Sequence, residues 1–307
     1  MATNPTVRVL SIIYNPAVPS TGGRRLAAAM GWHDPDALAA QYARDVLAAS
    51  HGHLRYQVVE RIEADGWPAK VDGFRYNGAT YVRCWQAGRG FHQPDAVDYH
   101  AILREFDVVD RVNAGVVDEV WLFGFPYAGF YESHMAGPGA FWCNSPPLAP
   151  LAPGGAGLPP CRRRFIIMGF NYERDVGCML ENLGHRVESI MARVYQRRTG
   201  EANHWERFTR YEQRAPGRAS VGTVHFAPNS RHDYDWGNPQ PVWSDCDDWL
   251  RFPHLTGRRR LVDCRDWGNG DMRLHHLWWL ERIPCAAGAT DGISNDWWTY
   301  IADPNTV

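Results

Sequence analysis

The sequence predicts an α/β protein in which a central, mainly parallel sheet is flanked by helices and followed by an irregular, tryptophan-rich C-terminal lobe. In the first 200 residues, apolar runs rich in β-branched residues alternate with segments of helical period, as βαβ units do. From about Glu201 the segments become short, aromatic and turn-rich. We therefore expect an α/β sheet domain at residues 1–200 and an α+β cap packed on it at residues 201–307, or one continuous domain.

Four strands and the helices between them are predicted in chain order. The first apolar run ends at Asn15-Pro16, which is typical of a strand that is buried on both faces and then broken. The first helix follows Asp34-Pro35, an N-cap residue and a first-turn proline. The predicted strands are Val7–Tyr14, Leu54–Ile62, Glu119–Phe125 and Arg164–Phe170, and the predicted helices are Asp36–Ala49, Tyr99–Ala114 and a long one ending near Tyr195. The proline-rich and glycine-rich segment Leu148–Pro160 is predicted to be a surface excursion.

The long helix after the fourth strand carries an unusual polar face. Glu181, His185 and Glu188 lie three and four residues apart, so they are neighbours on one side of a helix. They point away from its apolar stripe, which consists of Val176, Leu180, Leu183, Val187, Ile190 and Val194. The spacing E-x3-H-x2-E can direct two carboxylates and an imidazole at one cation. The alternative is a solvated face held by salt bridges.

Further candidates lie where predicted strands end, because ligands of α/β sheets collect at the carboxyl ends of the strands. The loop Pro126–Pro147 carries Glu132, Ser133 and His134, and Glu173 follows the fourth strand. We predict Glu132, Glu173 and His134 as catalytic residues. The alternative for this loop is a rigid connection packed by its aromatic residues.

His225 completes the predicted metal site. It follows the apolar run Val221–Val224 and precedes a Pro-Asn break, so we expect it at the end of a strand. His185, Glu181, Glu188 and His225 are the predicted ligands of one divalent metal ion, with zinc the first choice for mixed imidazole and carboxylate ligands.

Composition limits the other possibilities. A net charge of −2 from 32 basic and 34 acidic residues gives no reason to expect nucleic acid or an acidic membrane as partner. Spanning a membrane takes roughly 20 apolar residues, and no such segment or signal peptide is visible, so we expect a soluble, cytoplasmic protein. The alternative is a secreted protein whose precursor carried a signal peptide. Nucleotide cofactors are not expected, since VPSTGGRR matches no phosphate-binding fingerprint. Seven cysteines without a C-x-x-C pair favour a reducing compartment. The oligomeric state stays open.

Two resemblances add to these expectations. The strings VDEVWLFGFPYAGFYESHMAGPGAFWCNSPPL, FIIMGFNYERDVGCMLENLGHRVESIM and DMRLHHLWWLERIP resemble a family of bacterial and fungal proteins, some joined to carbohydrate-binding or fibronectin-like modules. This resemblance implies no mechanism. LENLGHRVE is also similar to the helix of zincin metallopeptidases, but it lacks H-E-x-x-H, because Glu181 stands four residues before His185.

These features favour a metal-dependent hydrolase that acts on a peptide or glycan-linked substrate, in which Glu132 or Glu173 activates water. One alternative is a non-catalytic carbohydrate-binding or peptide-binding protein, and another is a two-carboxylate glycosidase. Both would use the aromatic C-terminal third. Its tryptophans include Trp236, Trp243, Trp249, Trp267, Trp278, Trp279, Trp297 and Trp298, and its nearby acids include Asp233, Asp235, Asp245, Asp247 and Asp248. We expect most of these indoles to pack in the core instead.

Overall fold

The computed structural model describes residues 6–148 and 158–307, and within them the predicted α/β fold is confirmed. Residues 149–157, the greater part of the predicted excursion, lie outside the described residues. The chain forms two compact units. The sheet unit comprises Val7–Gln41 and Tyr56–Asp175, and the C-terminal unit is built mainly from Tyr42–Arg55 and Val176–Val307.

The elements up to residue 175 alternate as the sequence predicts. The strands are β1 (Thr6–Tyr14), β2 (Ala17–Val18), β3 (Arg24–Arg25), β4 (Arg55–Ala64), β5 (Glu119–Gly124), β6 (Ser133–Ala136) and β7 (Phe165–Asn171). The α-helices are α1 (Leu26–Met30), α2 (Pro35–Ala49), α3 (Gly78–Ala87), α4 (Tyr99–Glu105) and α5 (Val108–Asn113).

Five of these strands form one mixed, mostly parallel sheet. Its strand order is β4-β1-β5-β7-β6. β5 pairs in parallel with β1 on one side and β7 on the other, with Leu122 opposite Ile12 and also opposite Gly169. Every residue of β5 is buried, as expected for a central strand covered on both faces.

The sequence did not reveal the short edge strand β6. It lies in the predicted reactive loop Pro126–Pro147 and pairs antiparallel with β7, with His134 opposite Ile167. Ser133 and His134 are therefore buried strand residues.

The segment predicted as one helix, Tyr99–Ala114, forms two helices, because Asp107 takes a left-handed backbone conformation with φ of 49° between α4 and α5.

The C-terminal unit is built from shorter elements around one long helix. The helices are α6 (Val176–Val194), α7 (His204–Phe208), α8 (Met272–Leu280) and α9 (Trp298–Ala302), and the strands are β8 (Val242–Ser244), β9 (Arg260–Val262), β10 (Cys285–Thr290) and β11 (Ile293–Asp296). β8 pairs with β9 and β10 pairs with β11, both antiparallel.

The division of the chain differs from the boundary expected at residue 200. α6 belongs to the C-terminal unit, where it packs against α8 and α9. Its apolar stripe supplies the reason, since Leu180, Leu183, Val187 and Ile190 are fully buried.

Tryptophans fill the core of the C-terminal unit, as expected. Eight of the nine tryptophans in this unit are at most 7% exposed, and Trp243 alone among them is 56% exposed. The ring of Trp297 lies 5.6 Å from that of Phe208 and 5.9 Å from that of Trp249. Buried indoles cannot line an open groove, so this geometry favours the packing role over sugar stacking.

Across residues 6–148 and 158–307, no helix combines the length and the apolar character that crossing a bilayer requires. All seven cysteines are free thiols.

Candidate metal centre

The polar face of α6 is covered by the 221–236 loop, an irregular segment of the C-terminal unit. The side chains of Glu181, His185 and Glu188 are 10%, 17% and 28% exposed. They are therefore neither core residues nor a fully solvated face. Charged side chains that are buried to this extent need specific partners.

A tight turn brings His225 to that face, and the strand predicted for Val221–Val224 is wrong. Gly222 adopts a φ of 92°, and a Cβ there would lie 2.1 Å from the carbonyl oxygen of Phe226. The N–H of Thr223 donates to the same oxygen at 2.9 Å. The chain thus folds back on itself, which only glycine allows at this position. The N–H of Val224 donates to Glu188 Oε1 at 3.1 Å and fixes the turn on α6.

Three ligand-type atoms converge where this turn meets α6. His185 Nε2 lies 3.0 Å from His225 Nε2, and Glu181 Oε1 lies 2.9 Å from His225 Nε2 and 4.0 Å from His185 Nε2. Among the described residues, Glu181, His185 and His225 form a group whose ligand atoms all lie within 4.8 Å of one another. The structure therefore brings together three of the four predicted metal ligands.

The other ring nitrogen of each histidine contacts a carboxylate. Glu188 Oε2 lies 3.1 Å from His185 Nδ1, and Asp233 Oδ1 lies 3.0 Å from His225 Nδ1. An ionised carboxylate only accepts hydrogen bonds, so both Nδ1 atoms carry the hydrogen. In the neutral forms of the two rings, the lone pairs of both Nε2 atoms then face each other, whereas the protonated form of His225 donates its Nε2–H to Glu181 Oε1 at 2.9 Å. Glu188 therefore contacts the ring nitrogen of His185 that is not part of the three converging atoms, and from there it can orient the ring.

The spacing of these atoms fits a tetrahedral ion. Zinc–nitrogen bonds of about 2.0–2.1 Å hold neighbouring ligand atoms roughly 3.3 Å apart. The three distances of 2.9, 3.0 and 4.0 Å lie on both sides of that value. Two neutral imidazole lone pairs 3.0 Å apart repel each other unless a proton or a cation lies between them. Small side-chain rotations would equalise the three distances around a metal ion.

Tyr234 contacts the cluster through its hydroxyl. Its hydroxyl donates to Glu181 Oε1 at 3.0 Å and lies 3.1 Å from His225 Nε2. Its backbone N–H donates to the carbonyl oxygen of His225 at 3.2 Å. The residue has a φ of 61°, which is uncommon for a bulky side chain, and is 47% exposed. The hydroxyl thus lies against two of the three converging atoms.

Electrostatics keeps the carboxylate of Glu181 charged. Burial raises the pKa of Glu181. The hydrogen bonds from His225 and Tyr234 and the nearby His276 lower it by more, so the pKa of Glu181 is below its usual value. Burial lowers the pKa of His225, yet the contacts with Glu181 and Asp233 outweigh burial and the neighbouring His185, and the pKa is raised. Glu181 is therefore ionised at neutral pH, which is the form that binds a metal.

The three residues predicted to be catalytic lie in the sheet unit. Glu132 is exposed and accepts a hydrogen bond from the side-chain amide of Asn144. Glu173 is 29% exposed and its Oε2 lies 3.8 Å from Arg174 Nε. His134 is 4% exposed, stacks on Tyr99 and has Nδ1 2.6 Å from the hydroxyl of Ser145. The catalytic roles assigned to these three residues stay predictions.

The buried His134 should make stability depend on pH. Burial, reinforced by His100, lowers its pKa to about 4 from 6.5. Between these values the unfolded chain binds more protons, so stability is complete above pH 6.5 and is lost as the pH falls toward 4. We expect this histidine to cost roughly 2 kcal/mol at pH 5. Denaturant unfolding of wild type and His134→Gln at pH 7.5 and 5.0 measures the difference. Equal losses in both proteins would show that His134 does not titrate this way.

Gly184 permits the close approach of the 221–236 loop to α6. A Cβ at this helical position would lie 2.5 Å from Cγ2 of the fully buried Val224. Alanine normally stabilises a helix by about 1 kcal/mol relative to glycine. Here we expect Gly184→Ala to destabilise the protein by about 1–3 kcal/mol through overpacking. In a Val224→Ala background the same change should cost little. Chemical denaturation of the four proteins tests this, and a Gly184→Ala protein as stable as the wild type would contradict it.

The sequence did not assign Asp233 or Tyr234 to this cluster, and it indicated Asp233 only as one of the acids of the aromatic C-terminal third. Both belong to the string RHDYDW at 231–236. No helix or strand includes this string, so periodicity could not show which way its side chains point. The one available signal was the density of polar and aromatic side chains shortly after His225.

No protein-family model, curated protein or solved structure matches this chain. The resemblances described from the sequence therefore stay predictions, and the case for a function depends on the geometry of the cluster.

Proposed function

We propose that the protein is a zinc-dependent hydrolase whose metal ion is bound by His185, His225 and Glu181. One observation carries the proposal: two imidazole Nε2 atoms and a carboxylate oxygen converge, while carboxylates contact both Nδ1 atoms. Metal-binding histidines commonly make this second contact, which fixes the ring and the tautomer. A solvated salt-bridged face would not require two histidine rings to meet through their Nε2 atoms.

The ligand set suits catalysis more than structural stabilisation. Structural zinc sites usually have four protein ligands, whereas catalytic sites have three and leave one position open. Zinc in such a site acidifies water and polarises a carbonyl group. Two histidines and one glutamate are the set that several zinc peptidases use, which favours peptide bonds or amide bonds of glycan-linked substrates.

Tyr234 has a separate role in this proposal. Its hydroxyl already donates to an anionic oxygen in the cluster, so it is suited to hydrogen-bond a substrate oxygen on which negative charge develops. Glu188 and Asp233 position the two imidazoles. The proton acceptor predicted from the sequence, Glu132 or Glu173, is tested by replacing each with glutamine.

The test is a metal-dependent activity assay. Protein stripped with 1,10-phenanthroline and dialysed is mixed with zinc and a fluorogenic peptide library, with acetylated amino sugars as the glycan-linked probes. We expect hydrolysis that chelation abolishes and zinc restores. Activity should disappear in Glu181→Ala, His185→Ala and His225→Ala, and persist in His254→Ala, which removes an exposed histidine from the same unit.

The outcomes separate the parts of the proposal. Stoichiometric zinc without hydrolysis of any probe would contradict the hydrolase and leave a metal-binding protein. Hydrolysis that neither chelation nor the three substitutions affect would contradict the metal centre as the active site.

A further inference from the structure

A polar pocket lies in the C-terminal unit, and none of the residues of the metal centre lines it. It has a volume of about 270 Å³ and follows the short helical turn Asp248–Arg251 and the start of β9. Its charged lining consists of four guanidinium groups and two carboxylates, a net charge of +2, from Arg251, Arg258, Arg259, Arg260, Asp247 and Asp248.

Hydrogen bonds to the two carboxylates build the walls of this pocket. Asp248 is 4% exposed and accepts from the N–H groups of Thr256 and Gly257 at 2.7 and 2.8 Å. Asp247 accepts from Arg260 Nε at 2.5 Å and from Arg282 at 2.9 Å. The carboxylates are thus committed to holding the loop 256–259 and β9 in place.

The arginines at the rim are not neutralised in the same way. Arg259 donates to the carbonyl oxygen of Trp243, which carries no net charge. In residues 6–148 and 158–307, the guanidinium groups of Arg251 and Arg258 have no hydrogen bond or ion pair to a side chain. Each guanidinium offers five N–H donors in a planar fork that matches oxyanions. Several like charges around one pocket repel unless an anion lies among them.

We propose that this pocket binds the phosphate or sulfate group of a small molecule. The occupant must carry at least two negative charges to balance the lining and must present several oxygens to the arginine forks. The volume is at the small end of ligand pockets. It suits a single charged group, whereas a nucleic acid needs a basic surface that follows many phosphates. The proposal does not depend on the metal centre.

The test is isothermal titration calorimetry at constant ionic strength, with sodium chloride as the balancing salt. The probes are inorganic phosphate, inorganic sulfate, glycerol 2-phosphate and, as an extended polyanion, heparin. We expect saturable binding of one equivalent to the wild type, and at least a tenfold loss of affinity in Arg251→Gln and in Arg258→Gln. Arg83→Gln, which removes an exposed arginine of α3 in the sheet unit, should bind within twofold of the wild type.

The probes identify the source of the oxyanion. Tighter binding of glycerol 2-phosphate than of the inorganic ions indicates a phosphate monoester, and equal binding of phosphate and sulfate indicates recognition of the charged group alone. Both results support the proposal. It is overturned if none of the probes saturates, if the two substitutions leave the affinity unchanged in proteins that melt as the wild type does, or if only heparin binds.

Discussion

Replacing His225 with alanine is expected to lower the affinity for zinc by more than about 100-fold, which exceeds the effect of removing a supporting residue. The change deletes one of three converging ligand atoms and leaves Glu181 and His185 with their nearest ligand atoms 4.0 Å apart. Metal content after equilibrium dialysis against buffered zinc measures the loss. Glu188→Ala should lose roughly 10-fold to 100-fold, because Glu188 only orients His185.

The control for this series is His254→Ala, which should retain the metal content of the wild type. We expect the metal content to be lowest in His225→Ala, intermediate in Glu188→Ala and highest in His254→Ala. If Glu188→Ala loses as much zinc as His225→Ala, Glu188 is itself a ligand, as the sequence spacing alone predicted.

Replacing Trp279 with alanine should destabilise the C-terminal unit by about 3–5 kcal/mol, the usual cost of deleting a large buried aromatic side chain. Trp279 is fully buried, its indole N–H donates to the carbonyl oxygen of Gly222 at 3.0 Å, and its ring lies 5.8 Å from that of Phe208. The melting temperature should fall by roughly 6–15 °C. Differential scanning calorimetry makes the measurement.

Trp243 provides the matched control. It is 56% exposed on the two-stranded β8–β9 ribbon, and Trp243→Ala should change stability by less than about 1 kcal/mol. Similar melting temperatures for the two variants would mean that the indole of Trp279 is not part of a packed core. The preference for packing over a glycan-binding groove would then be wrong.

The sheet could be predicted because its central strands have a simple pattern. β1, β5 and β7 are predominantly apolar runs bounded by turn residues, and a strand covered on both faces needs little else. The edge strand β6 escaped prediction because its first two residues, Ser133 and His134, are polar. Their burial depends on tertiary partners such as Ser145 and Tyr99, which local sequence does not show.

Part of the site could be predicted for a similar reason. Helical periodicity places Glu181 and His185 on one face, and that requires no tertiary knowledge. Which imidazole nitrogen faces which carboxylate depends on side-chain geometry, so Glu188 could not be distinguished from a ligand. Asp233 and Tyr234 reach the cluster through an irregular loop with a left-handed residue, and no sequence period describes such a path.

Crystals soaked in zinc and measured at the zinc absorption edge test the central claim most directly. We expect one anomalous peak about 2.0–2.2 Å from Nε2 of His185, Nε2 of His225 and a carboxylate oxygen of Glu181. Glu188 and Asp233 should still contact the two Nδ1 atoms. Zinc-saturated crystals with no peak at this position, and with the imidazoles still paired through Nε2, would contradict it.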